Sequence, residues 1–165
     1  MFFFTVNLAD RTSHLLVDQI DALRDAVGAT LRMHPFTIAA WSVMPDHMHA
    51  IWSLPEGDSD YATRWMLIKQ RFSRAMPPRE AIGLSRRKKS ERQIWQRRYW
   101  EHQIRSRHDL VRHIDYVHFN PVKHGHVARA GDWPYSSIHR YIRQGVLTQD
   151  WACDPSHLPG GERSP

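Results

Sequence analysis

At 165 residues and 19.5 kDa the chain has the length of one compact domain with a short tail, since domains usually run to roughly 100–200 residues. Apolar residues at 41%, with 7 Trp, 6 Phe and 5 Tyr, supply a core and exclude global disorder. The stretch around the hydrophobic centre, Met33 to Pro45, falls short of the ~20 apolar residues that span a bilayer, and the charge of +6 with a pI near 9.9 points to a polyanionic partner.

In chain order, Phe2 to Leu8 is aromatic and β-branched and reads as a strand. Leu16, Ile20, Leu23, Val27 and Leu31 recur at helical spacing and predict one amphipathic helix that stops before Pro35. Phe36 to Val43 and His47 to Leu54 read as two strands joined by the tight turn Met44-Pro45-Asp46, hence antiparallel neighbours. Tyr61 to Met76 carries Ala62, Trp65, Met66, Lys69 and Phe72 at helical spacing and predicts a second helix with a basic outer face. Residues 77–93, including Arg86-Arg87-Lys88-Lys89, lack periodicity and read as a basic loop, and Ile94 to Ile104 as a further strand. A third helix is expected from about Ser106 to Phe119, stopped by Asn120-Pro121, and then an irregular tail whose last residues are disordered. The order β-α-β-β-α-β-α predicts an α+β fold, a ferredoxin-like antiparallel sheet backed by helices, with one domain over 1–152 and a tail over 153–165.

The charge is localised. Between Arg64 and Arg112 lie 15 Lys and Arg against 4 acidic residues, while the remainder of the chain is net acidic. Lys69, Arg71, Arg74, Arg86, Arg87, Lys88, Lys89, Arg97 and Arg98 in this segment, with Lys123 beyond it, are candidates for phosphate contacts. Trp41, Trp52 and Trp65 sit in apolar patterns and are expected in the core. Trp95, Tyr99 and Trp100, interleaved with Arg97 and Arg98, are the candidates for stacking on unpaired bases.

In a strand, residues i and i+2 share a face, so His47 and His49 project together and suit two ligands of one divalent ion. A third ligand is needed, because 12 histidines make such a spacing common. On the third helix Asp109, His113, Tyr116 and Asn120 fall within one stripe, whereas His118 lies about 160° around from Tyr116 and is assigned to packing or DNA contact. By spacing alone Tyr116 is either an interfacial aromatic or a catalytic one.

The segments MPDHMHAIWSLPEGDSDYATRWMLIKQRFSR, IWQRRYWEHQI, HIDYVHFNPVKHG and DWPYSSIHRY together resemble the REP-associated tyrosine transposases, relatives of the single-tyrosine HUH transposases, over about Phe2 to Trp151. The resemblance implies an HUH endonuclease fold and a metal-dependent enzyme that nicks single-stranded DNA beside palindromic hairpins. The 5′ phosphate is joined covalently to a tyrosine, and a 3′-OH can reverse the step. It further implies His47 and His49 as the HUH pair, Tyr116 as nucleophile and Asn120 as third metal ligand, where the wider group often has Gln. The implied ion is magnesium or manganese, since two imidazoles and an amide oxygen leave positions open for phosphate, and the single cysteine, Cys153, does not supply a thiolate zinc site.

A lone thiol and the lack of a basic leader lead us to expect a cytoplasmic protein, monomer or homodimer, without a membrane partner. Two readings compete with the transposase: a non-catalytic hairpin-binding protein, for which the charge segment suffices, and an RNA-binding or RNA-cleaving ferredoxin-like protein. Only the transposase needs His47, His49, Tyr116 and Asn120 together.

Overall fold

The structure, a computed structural model, describes residues 1–77 and 94–151. The predicted basic loop over 77–93, from residue 78 on and including Arg86, Arg87, Lys88 and Lys89, and the predicted tail over 153–165 lie outside the described residues. The elements are β1 (Phe2–Asn7), α1 (Leu15–Asp18), α2 (Ile20–Met33), β2 (Thr37–Val43), β3 (His47–Ser53), α3 (Tyr61–Ala75), β4 (Trp100–Gln103), α4 (Arg107–Lys123) and α5 (Ile138–Arg143).

The strands form one antiparallel sheet in the order β2-β3-β1-β4, so β1, the strand richest in aromatics, lies in the interior. This is the expected ferredoxin-like arrangement. Period-2 alternation gives the sheet two different faces. Phe4 and Val6, with Met48, Ala50 and Trp52, turn toward α2 and α3 and pack on Leu23, Val27, Trp65, Ile68 and Phe72. Trp52 and Trp65 stack with centroids 4.1 Å apart, with Phe36 and Phe4 against Trp52 at 4.2 and 5.0 Å. Phe3 turns the other way and packs with Ala40 and Ile51 beneath Tyr116 and Val117 of α4. This second, smaller apolar layer carries the histidine pair.

Arg64, 4% exposed, ties the first layer together: it pairs with Asp58 at 2.6 Å and donates to the carbonyls of Pro35 and Asp60, both at 2.8 Å. Asp60 caps α3 by accepting from the Thr63 N–H at 3.0 Å, and Ser106 caps α4 by accepting from Asp109 N–H at 3.0 Å.

Four expectations are corrected. The first helix is broken at Gln19, whose φ of −117° leaves the helical region; the piece before it is held to the β2–β3 turn by Leu16 N–H donating to Pro45 O at 3.1 Å. The strand over 94–104 is interrupted: Ala9 N–H donates to Ile94 O at 2.9 Å and Gln96 N–H to Asn7 O at 3.0 Å, and regular pairing resumes only at Trp100. Asn120-Pro121 does not stop α4, which runs on to Lys123. A proline in the last turn forfeits only one helical bond, and the helix closes with Gly125 at φ +70°, where Gly125 N–H bonds Val122 O and His126 N–H bonds Pro121 O, both at 2.9 Å.

The fourth correction concerns the segment after α4, which is not an irregular tail. A 3-10 turn at Ala130–Asp132 and α5 close the open edge of β2. Val43 N–H donates to Tyr135 O at 2.9 Å, Ser137 N–H to Trp41 O at 2.7 Å, Trp133 Nε1 to Val43 O at 2.9 Å, and Tyr141 OH to Ala39 O at 2.9 Å. Arg140 donates to Ala39 O as well. An edge strand that would otherwise template foreign pairing is satisfied from within.

His118 of α4 points into this junction, with Nε2 3.0 Å from Ser137 Oγ and its ring against Tyr141. It therefore belongs to packing. Burial, and then the charges of Arg140 and His139, push its pKa from 6.5 down to about 3. The unfolded chain takes up this proton near 6.5 and the folded one resists to about 3, so the contribution is complete above 6.5 and is lost as pH falls through that interval. Between pH 6.5 and 5 the loss is about 2 kcal/mol. Thermal unfolding of the protein and of His118→Gln across that range should show the gap between them narrowing by roughly 4–8 °C in Tm. A gap independent of pH would show that His118 is not held neutral.

Candidate active site

His47 and His49 leave β3 on the α4 side, as their spacing predicts, with ring centroids 5.1 Å apart. Each has one ring nitrogen fixed. His47 Nδ1 donates to Asp46 Oδ1 at 2.7 Å, and Asp46 is held in turn by Arg11 Nε at 3.0 Å. Burial pushes the Asp46 carboxyl up, but the His47 hydrogen bond and the charges of His47 and Arg11 outweigh it and leave it below the ordinary carboxylate range. His49 Nδ1 is paired across the strands with the Thr5 hydroxyl at 2.9 Å, a consequence of the β1–β3 register that sets Thr5 opposite His49. In metal centres a ligating imidazole commonly has its other nitrogen oriented by such a hydrogen-bond partner.

The stripe of α4 lies over this pair. Tyr116, 4% exposed, meets His49 edge-on at 5.2 Å and Phe3 at 5.8 Å. One turn on, Asn120 is fully buried, its Nδ2 donates to Tyr116 O at 3.5 Å, and its Oδ1 is buried without a hydrogen-bond partner among the described residues. Burial, and then the charges of His47 and His124, hold the His49 pKa well below the ordinary imidazole range, with the adjacent Asn120 side chain acting against them. His49 is therefore neutral at physiological pH, the form that coordinates a cation.

Two residues of this corner were missed by the sequence reading. Lys123, assigned there only to phosphate contact, donates from Nζ to Tyr116 OH at 3.4 Å and lies 4.9 Å over the ring. His124 rests against His47 at 4.9 Å; partial burial, then the charges of His47, Lys123 and His126, lower its pKa to about 4. The signal was the helical spacing: 116, 120, 123 and 124 lie on one stripe once the helix runs past Pro121.

The other candidates divide by exposure. Arg74, Arg97 and Arg98 are exposed. Arg71 turns inward to Thr30 Oγ1 at 2.9 Å and joins α3 to α2. Lys69 donates to Gln96 O at 3.2 Å and lies 5.2 Å over Tyr99, and burial lowers its pKa to about 8. Trp95 and Tyr99 pack on the core, whereas Trp100 is 48% exposed beside Phe3 at 5.5 Å. No described helix is long and apolar enough to cross a membrane.

No protein-family model matches the sequence. A REP-associated tyrosine transposase of Escherichia coli (strain K12) is 46% identical over 162 residues, covering 98% of this chain and 90% of the relative. A relative from Haemophilus influenzae (strain ATCC 51907 / DSM 11121 / KW20 / Rd) is 43% identical over 156 residues, 94% of this chain and 89% of its own. A solved structure, described as the REP-associated tyrosine transposase bound to a REP hairpin, superposes with a TM-score of 0.85 at 45% identity over 99% of this chain and 91% of that one. With identity of this order along nearly the whole length and the His47/His49/Tyr116 corner in place, the chain belongs to the REP-associated tyrosine transposases, a family that implies a divalent metal.

Proposed function

We propose that this chain nicks and rejoins single-stranded DNA beside REP-type hairpins through a 5′-phosphotyrosine link to Tyr116, using magnesium or manganese held by His47, His49 and Asn120. The observation that carries the reading is the Tyr116 corner itself. A phenol, two imidazoles with one nitrogen each already oriented, and a buried amide oxygen lacking a hydrogen-bond partner converge where the two elements meet. A buried carbonyl oxygen without a partner costs free energy unless something else satisfies it, and a cation would do so. The kinship with a transposase bound to a REP hairpin supports the substrate class.

His47, His49 and Asn120 would hold a divalent ion there, which would supply Lewis-acid polarisation of a non-bridging phosphate oxygen. Tyr116 must lose its proton, and with an unperturbed pKa near ~10 only about 0.1% is phenolate at pH 7. The Lys123 ammonium, 3.4 Å from the phenol oxygen, favours the phenolate. The phenolic oxygen bonds to phosphorus, the bond to the 3′ oxygen breaks, and that oxygen leaves as a hydroxyl after taking a proton from water. The reverse attack by a 3′-OH restores the diester and the phenol. The exposed Arg74, Arg97 and Arg98 bind backbone phosphates, and Trp100 offers a face to an unpaired base.

Incubation with a single-stranded REP-type hairpin and manganese should yield a covalent protein–DNA adduct with a free 3′-OH. Tyr116→Phe should abolish the adduct with fold and DNA affinity intact, whereas His47→Ala with His49→Ala should abolish it by loss of metal. An adduct persisting in Tyr116→Phe would move the nucleophile elsewhere, and cleavage with no adduct would indicate attack by water.

For Lys123 the pH profile is diagnostic. Lys123→Gln should slow adduct formation about tenfold at pH 7 and move the alkaline rise in rate upward by about one unit, with Lys123→Arg close to the parent. An unchanged profile would confine Lys123 to phosphate contact.

Salt dependence separates surface from interior cations. Neutralising Arg86, Arg87, Lys88 and Lys89 together should weaken hairpin binding and flatten log affinity against log salt by roughly 0.7–0.9 for each phosphate that is no longer neutralised. Arg71→Ala should lower Tm and leave that slope unchanged. The opposite pattern would overturn the assignment.

A further inference from the structure

We propose that His102, Asp109 and His113 form a second cation site of zinc type, separate from the His47/His49 pair. The three residues come from two elements that meet only in the folded chain. His102 lies on β4 opposite Phe3, and Asp109 and His113 stand one turn apart on α4. One ligand atom from each lies within 4.8 Å of the others, the one such group of three or more His, Cys, Asp or Glu among the described residues.

The carboxylate is at the centre. Asp109 Oδ2 is 2.9 Å from His102 Nε2 and accepts from Arg105 N–H at 3.1 Å; Oδ1 is 3.0 Å from His113 Nδ1, which also lies 2.8 Å from the Asp109 carbonyl. The two imidazoles stack on one side of it, centroids 4.7 Å apart and 13° from parallel. Phe3 backs His113 at 4.9 Å, and Trp100 lies parallel to His102 at 5.9 Å. Side-chain exposure of 35% at His102 and 24% at Asp109, against 5% at His113, leaves the cluster buried on the His113 side and open to water on the His102 side.

Charge distinguishes a cation site from a hydrogen-bonded brace. Among the described residues the only ionic partners of Asp109 are the two imidazoles, with no Lys or Arg side chain paired to it. A carboxylate whose partners are imidazoles is open to a metal ion that takes the place of their protons. Two nitrogens and one carboxylate oxygen with an open fourth direction are the ligands of an open tetrahedral zinc centre. Such an ion would clamp β4 to the first turns of α4, three residues before Tyr116, with both His113 and Tyr116 against Phe3. The inference does not depend on the DNA-nicking reading.

The test uses the full chain carrying His47→Ala and His49→Ala, freed of metal with a chelator and titrated with Zn²⁺ against a chromophoric competitor. One equivalent should bind at submicromolar affinity and raise Tm by several degrees. Adding Asp109→Asn or, separately, His102→Gln should weaken binding at least 100-fold and abolish the Tm increment, with circular dichroism of the metal-free proteins confirming the fold. No stoichiometric uptake in the parent of this series would overturn the site. So would uptake unaffected by both substitutions, or an Asp109→Asn protein that loses metal-free stability while the parent gains none from zinc, which would leave only a hydrogen-bonded brace.

Discussion

The Phe3 side chain, 1% exposed on an interior strand, is the contact on which the functional face depends. Its ring touches His49 at 5.6 Å, Trp100 at 5.5 Å, His113 at 4.9 Å and Tyr116 at 5.8 Å, so one apolar wall borders both the Tyr116 corner and the His102–Asp109–His113 cluster. β1 is hydrogen-bonded on both sides, which leaves Phe3 little freedom to shift. With Ala40, Ile51 and Val117 it forms the apolar layer that docks α4. The burial of these side chains, worth on the order of 1.5–3 kcal/mol for each large one, must offset the cost of setting polar groups beside them.

That cost is visible in the chemistry of the histidines. His49, His113 and His118 are each pushed down in pKa chiefly by burial, so they are neutral in the folded protein. Neutral imidazoles are what a metal or a hydrogen-bonded junction requires. The same low-dielectric setting makes the fold sensitive to acid, since each of these rings gains a proton on unfolding. Stability and function draw on one feature here, the depth at which polar groups are set beneath α4.

The sheet, its alternation and the α4 stripe were legible in the sequence because each follows a periodicity. Phe2 to Asn7 and His47 to Ser53 alternate between faces, and Asp109, His113, Tyr116 and Asn120 recur at helical spacing. What was not legible has no period. Trp133, Ser137, Arg140 and Tyr141 reach the backbone of β2, and contacts to main-chain groups leave no hydrophobic pattern. Lys123 and His124 were hidden behind the rule that Asn-Pro ends a helix, which fails where the proline falls in the last turn. Lys69 and Arg71 have the composition of a DNA-facing surface, yet their long stems are spent on Tyr99 and Thr30, because an amphipathic side chain can bury its length and still satisfy its charge.

The two donor sets that α4 completes, one with β3 and one with β4, differ in one respect that bears on what each can do. His47, His49 and Asn120 carry no formal charge when the imidazoles are neutral, so an ion held there keeps its full positive field for phosphate oxygens and stays exchangeable. His102, Asp109 and His113 include a carboxylate 2.9 Å from one imidazole, which cancels half of a divalent charge and tightens retention at the expense of Lewis acidity. The uncharged set sits beside the phenol, and the charged one two turns upstream, where β4 meets the start of the helix. On the two proposals, charge count would suit the first set to chemistry on a polyanion and the second to holding α4 against the sheet, outside the reacting centre.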